Sequence, residues 1–138
     1  MSAEVFLDTN IVVYAFDRRF PKKRQIARDL IAAEASWSIS WQVVQEFCSV
    51  ALHRFAVPLT HDFLDEMIAL VLHPHCHVMP SPALWKNALQ VRAQTQYRFY
   101  DSMIIAAALE SGARMLYSED LQHGRKIGNL EIANPFME

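Results

Sequence analysis

The stretch Val5-Phe6-Leu7-Asp8-Thr9-Asn10-Ile11-Val12-Val13 decides the fold. Three successive apolar residues predict a short buried strand. Asp8, Thr9 and Asn10 all favour helix N-caps, and the apolar pattern resumes at Ile11 as a helix would require. A strand that passes into a helix through an acid puts that carboxylate at the strand's carboxyl end. In open α/β sheets this is the edge where ligands and chemistry collect. A structural cap explains such a triplet taken alone. The case for function comes from Glu46, Asp101 and the pair Glu119-Asp120, whose contexts make a merely solubilising carboxylate hard to explain.

Outward from this stretch, strand signals appear at Trp37–Ser40, His77–Met79, Arg114–Tyr117 and Leu130–Ala133. Between them lie helical patterns over Lys22–Ala35 and Trp41–Phe55. Another, capped by Thr60, carries Phe63, Leu64, Met67, Ile68 and Val71 on its apolar face. Ser81-Pro82 reads as N-cap and first position of a further helix. The pattern Tyr100–Ser111 ends at Gly112, a natural C-cap. Short strands alternating with helices predict an α/β fold, a three-layer α/β/α sandwich around a parallel sheet of four to five short strands. At 138 residues, positions 1–138 are expected to form one domain.

Composition narrows the function. The three glycines, at 112, 124 and 128, form neither a G-x-G-x-x-G nor a P-loop motif, so a nucleotide cofactor is not expected. A net charge of −2 excludes a basic nucleic-acid coat, although Arg18-Arg19 and Lys22-Lys23-Arg24 form a local basic cluster. Charged residues are 20% and hydrophobic residues 52%, which predicts apolar surface to spare for self-association or a protein partner. Cys48 and Cys76 are too few for a disulfide framework, and no segment reads as a signal peptide or membrane span. A cytoplasmic protein away from the membrane is expected.

Glu46 stands at helical spacing from Val43 and Val50, on or beside the buried face, where a carboxylate is costly unless it is paired or binds metal. Asp101 opens a helix that is apolar all round, and can serve as its N-cap, as a metal ligand, or as both. Ser118-Glu119-Asp120 follows a strand and would share a sheet edge with Asp8 if the two strands are neighbours. Several acids meeting at one edge repel one another, and a hard cation such as Mg²⁺ or Mn²⁺ is the physical reason to tolerate them. Such a site activates water and stabilises a phosphodiester in transit. The alternating His73, His75 and His77 compete as a zinc site, but no fourth ligand is apparent, and a polar loop leading into a strand is the expected reading.

With these motifs in place, the chain resembles the PIN-domain family, and in particular its VapC-type toxins. The resemblance is carried by Phe6-Leu7-Asp8-Thr9-Asn10, Val43-Val44-Gln45-Glu46-Phe47, Tyr100-Asp101-Ser102-Met103-Ile104-Ile105-Ala106-Ala107-Ala108 and Leu116-Tyr117-Ser118-Glu119-Asp120-Leu121. It implies a Mg²⁺- or Mn²⁺-dependent endoribonuclease, the toxin of a type II toxin–antitoxin pair, acting on structured RNA loops such as those of tRNA. The implied catalytic acids are Asp8, Glu46, Asp101 and Asp120, with Asp8, Asp101 and Asp120 on the metal. Asn10, Ser118 and Glu119 support them. Ser118 stands where the family commonly has Thr, and which of Glu119 and Asp120 meets the metal stays open. The resemblance also implies a homodimer and a VapB-like antitoxin that inserts an arginine among the acids. Arg18, Arg19, Lys22 and Lys23 are candidates for contact with RNA or antitoxin.

Two rivals remain at this level. One is a non-catalytic PIN-fold binding module whose acids are caps. The other is an α/β phosphatase or receiver-like domain. It is disfavoured because Asn134-Pro135-Phe136, with no lysine, follows the last strand and position 10 is Asn rather than a second Asp.

Overall fold

The structure is a computed structural model and describes residues 4–33 and 36–137. The elements run β1 (Val5–Leu7), α1 (Thr9–Tyr14), α2 (Pro21–Ala33), β2 (Trp37–Ser40), α3 (Trp41–His53), α4 (His61–Met67), a π-helical turn (Ile68–Leu72), α5 (His73–His75), β3 (Cys76–Val78), α6 (Pro82–Thr95), α7 (Phe99–Ser111), β4 (Met115–Tyr117), β5 (Lys126–Ile127) and β6 (Leu130–Ala133). Every expected strand is present within a residue of its expected bounds. Positions 34 and 35, the end of the second expected helix, lie outside the described residues.

The sheet has six strands in the order β3-β2-β1-β4-β6-β5. All pairings are parallel except β5 against β6. Four to five parallel strands were expected, and five are parallel. The sixth, β5, is a two-residue antiparallel return too short to leave a periodic signal. From β1 the chain steps outward through β2 to β3, then crosses to the other side for β4 and β6. The order therefore reverses between β1 and β4, where an α/β sheet opens a crevice at its carboxyl edge. Leu7 pairs with Tyr117, and the Asp8 amide donates to the Tyr117 carbonyl at 3.0 Å, so Asp8 and Ser118 emerge side by side.

Apolar burial fixes this edge in place. Phe6, Ile39, Leu116 and Ile132 sit fully buried in the sheet. Helix α7 presses Ile104, Ile105, Ala106, Ala107 and Ala108 into the core, as a helix apolar all round must. It ends at Gly112, whose φ of 79° gives the left-handed C-cap read from the sequence. Ser81 caps α6, accepting from the Leu84 amide at 3.1 Å.

Two sequence readings are corrected. The His73–His77 stretch does lead into a strand, but not through a polar loop. His73 and His75 lie on helix α5 and His77 lies on β3. His75 stacks on Trp37 with ring centroids 3.6 Å apart, and its Nδ1 lies 2.9 Å from the Trp37 carbonyl oxygen, which gives that ring a structural task. Asp101 is not the N-cap of α7 either. The helix starts two residues earlier, capped by Arg98 without a side-chain bond, and Asp101 lies in its first turn.

Candidate active site

The acids assemble from four elements. Asp8 is the N-cap of α1 and 7% exposed. Its Oδ1 accepts from the Thr9 amide at 2.7 Å, and its Oδ2 accepts from the buried Ser118 hydroxyl, also at 2.7 Å. Ser118 Oγ in turn accepts from the Asp120 amide at 3.2 Å, closing the turn that carries Asp120 to the edge. The Asn10 side chain spans the gap. Its Nδ2 donates to Asp8 Oδ2 at 3.4 Å, to Ser118 Oγ at 3.5 Å and to Asp120 Oδ2 at 3.2 Å, while its Oδ1 accepts from the Glu119 amide at 3.2 Å. Asn10 thus places amide hydrogens between two carboxylates that would otherwise repel.

Glu46 joins from the half-buried flank of α3. The Thr9 hydroxyl donates to its Oε1 at 2.7 Å, and Gln42 donates to the same oxygen at 3.4 Å. Asp101 arrives on α7, where a carboxylate in the first turn is favoured by the helix dipole. Arg98 faces it loosely, with Nε 3.9 Å from Oδ2.

Electrostatics link the four. Burial pushes the Asp8 carboxyl up to about 6, and the charges of Glu46 and Asp120 add to this, against hydrogen bonds from Ser118 and Thr9. Burial also raises Asp101, with Asp120 pushing the same way and Arg98 opposing. Asp8 therefore senses Glu46 and Asp120, and Asp101 senses Asp120, although among the described residues no three Asp, Glu, His or Cys side chains are gathered closely enough to hold an ion as they stand. An open edge of oxygen donors fits Mg²⁺ better than a closed cage, because that ion keeps several waters and takes one or two carboxylates plus substrate phosphate.

Glu119 faces elsewhere. Its Oε1 accepts from the Tyr14 hydroxyl at 2.5 Å, and its Oε2 is paired with Lys23. Lys23 Nζ also lies 4.8 Å from the Tyr14 ring centroid, within cation–π range. Burial pushes the Glu119 carboxyl up, but Lys23 and the Tyr14 hydroxyl outweigh it and hold it below its usual range. Both Glu119 carboxylate oxygens are therefore committed, and Asp120 is the member of the pair whose carboxylate is bonded to Asn10. Of the basic candidates, Lys23 is occupied here and Arg19 is paired with Asp17 at 2.9 Å. Arg18 and Lys22 are exposed. Arg18 and Arg19 line a groove of about 490 Å³ with Arg24, Arg28, Phe16 and Phe55.

Sequence reasoning gave Thr9, Tyr14 and Gln42 no role. Gln42 carried a usable signal, being one helical turn before Glu46. Thr9–Glu46 and Tyr14–Glu119 join residues far apart in the chain and leave no local trace.

A parallel α/β sheet with its acids at the switch-point edge defines a class of domain, and comparison with known proteins gives its family. The PIN domain family profile matches residues 5–127, and the chain belongs to that family. The fold is similar to that of a toxin–antitoxin complex from Klebsiella pneumoniae, with TM-score 0.70, 16% identity and coverage of 96% of this chain and 98% of that one. It is also similar to Mycobacterium tuberculosis VapC20, described as a sarcin-ricin loop cleaving toxin, with TM-score 0.63, 19% identity and coverage of 84% and 89%. A third similar structure is VapBC2 from Rickettsia felis bound to a promoter DNA fragment, with TM-score 0.61, 17% identity and coverage of 94% and 97%. No curated protein gives a significant match.

Proposed function

We propose that the chain is a metal-dependent endoribonuclease and the toxin of a toxin–antitoxin pair. The observation that carries this reading is the convergence of Asp8, Asp120, Asn10 and Ser118 at the β1/β4 edge, with Glu46 and Asp101 alongside. Asp8, Asp101 and Asp120 would hold Mg²⁺ or Mn²⁺, which when bound supplies water activation and charge stabilisation for phosphodiester hydrolysis. Asn10 and Ser118 keep Asp8 and Asp120 in register. Glu46, anchored by Thr9 and Gln42, would accept the proton that the attacking water loses. RNA is the favoured substrate because the structural relatives include a toxin described as cleaving an RNA loop.

An antitoxin is the natural partner, since two of the similar structures are toxin–antitoxin assemblies. An arginine from it would suit the acid cluster, pairing two-point with a carboxylate. The groove bearing Arg18 and Arg19 would take an acidic, apolar stretch of the same partner. A homodimer is favoured by Trp85 and Leu89, which lie exposed one turn apart on α6. The cytoplasm suits two free cysteines and a chain in which, among the described residues, no helix is long and apolar enough to cross a membrane.

Expression of the chain alone is expected to arrest growth and to create new 5′ ends in cellular RNA, while Asp120→Asn at equal abundance does neither. Arrest that persists undiminished in Asp120→Asn would reject the nuclease reading. Lys23→Met tests the role of Glu119. It keeps the apolar stem over Tyr14 but frees a carboxylate beside Asp120. Thermal stability is expected to fall modestly, by roughly 1 kcal/mol, since the pair is half-buried and a fully exposed one contributes less. RNA cleavage is expected to fall, because the freed Glu119 carboxylate leaves uncompensated negative charge beside Asp120 that repels the RNA phosphate. Unchanged cleavage in single-turnover assays would remove Lys23 from the site's support.

A further inference from the structure

Resting on the nuclease reading, a chain cut among these acids must run its neighbouring nucleotides over the surface beside them. On one side that surface is the paired N-termini of α3 and α7. Gln42 joins them, its Nε2 donating to Glu46 Oε1 at 3.4 Å and to the Tyr100 carbonyl at 3.2 Å. Each helix opens with an aromatic residue facing solvent. Trp41, the first residue of α3, is 39% exposed, and Tyr100, immediately before Asp101, is 69% exposed. Phe99 packs edge-on against Tyr100 at 5.6 Å between centroids, which steadies the tyrosine ring. The Arg98 side chain is 93% exposed, and among the described residues its one ion pair is the long contact to Asp101. Single exposed aromatics are ordinary on protein surfaces. Tyr100 adjoins Asp101 in the chain and Trp41 adjoins Gln42, so two partly exposed rings and a loosely held cation flank the helix ends that carry Glu46 and Asp101.

We propose that Trp41, Tyr100 and Arg98 form a stacking platform for an unpaired RNA base next to the scissile phosphate, with Arg98 contacting the flanking phosphate. The occupant follows from chemistry. Aromatic faces stack on bases of any identity, but only where the bases are unpaired. Duplex RNA presents its grooves and backbone instead. Charge complementarity points the same way: Lys23 is held by Glu119, whereas Arg98 meets Asp101 at a long 3.9 Å and its side chain is open to a polyanion. The platform would make the enzyme choose loops and single strands over helical stems.

The test is fluorescence anisotropy with a labelled unstructured 12-nucleotide RNA, in chelator so that no cleavage occurs, repeated with the same strand annealed to its complement. Wild type is expected to prefer the single strand. Tyr100→Leu and Trp41→Leu should each weaken its binding about tenfold, Tyr100→Phe should retain it, and duplex binding should not respond. Arg98→Ala should weaken binding and reduce the slope of log affinity against log salt by about one. In magnesium, Tyr100→Leu should raise KM with kcat nearly unchanged. Equal binding by wild type and both leucine variants would overturn the platform. So would variants that change the sedimentation coefficient while binding RNA normally, since the patch would then be a protein interface. The two readings fail separately: single-strand binding lost in the leucine variants but no cleavage by wild type retains the platform and rejects the nuclease, and cleavage indifferent to these residues does the reverse.

Discussion

Asp8→Asn is expected to lower the single-turnover rate of RNA cleavage by on the order of 10³-fold, a loss of about 4 kcal/mol of transition-state stabilisation, while leaving the chain folded. The two halves of this expectation have separate causes. Asp8 Oδ1 caps α1 through the Thr9 amide, and asparagine caps a helix about as well as aspartate. The structural duty therefore survives the substitution. The negative charge does not, and with it goes the most buried carboxylate of the acid cluster. Circular dichroism together with quenched-flow cleavage checks both. A folded variant that cuts within threefold of wild type would show that Asp8 is only a cap.

The second large effect concerns stability and pH in the absence of metal. Asp8 titrates near 6 in the folded chain against an ordinary 3.8, so between these values the folded state holds more proton than the unfolded one. Stability then falls as pH rises through this interval, and the penalty is complete above about pH 6, where it amounts to about 3 kcal/mol. Asp101 is shifted in the same direction. Asp17 and Glu119, held low by Arg19 and by Lys23 and Tyr14, act in the opposite sense elsewhere in the molecule. Comparison with Asp8→Asn isolates the residue. Relative to wild type, the variant is expected to gain stability from pH 4 to about pH 6 and to level off above it, in urea titrations with chelator. Mn²⁺ should restore the wild type by mass action, about 2.7 kcal/mol at a hundredfold excess over its dissociation constant, and the variant much less. Parallel pH profiles for the two proteins would mean that Asp8 carries no strain.

Much of the edge was legible because local rules set it. An apolar triplet followed by three capping residues places Asp8 at the end of β1, and the same logic places Ser118, Glu119 and Asp120 after β4. Their meeting required only that β1 and β4 be neighbours, which the parallel sheet supplies. What escaped the sequence was settled by contacts remote in the chain. The Thr9 hydroxyl on Glu46 and the Tyr14 and Lys23 bonds to Glu119 depend on how α1, α2 and α3 pack together. Asp101 misled as a cap because an acid in the first turn satisfies the helix dipole nearly as well as one at the cap itself. Arg98, a poor capping residue, gave no competing signal. The histidine alternation misled for a related reason. Period two suggests extended chain, but the helical run through α4 and the π turn continues past Pro74 before β3 begins.

The central claim is that the acids at the β1/β4 edge form one metal-dependent catalytic centre. Its most direct test is the single-turnover rate of cleavage of an unstructured RNA as Mg²⁺ is titrated into chelator-treated protein, for wild type and Asp120→Asn in parallel. The expected result is no cleavage without metal, saturable cleavage by wild type, and a loss in Asp120→Asn that added Mg²⁺ does not recover. Cleavage that proceeds equally in chelator, or that is the same in both proteins at every Mg²⁺ concentration, would contradict it.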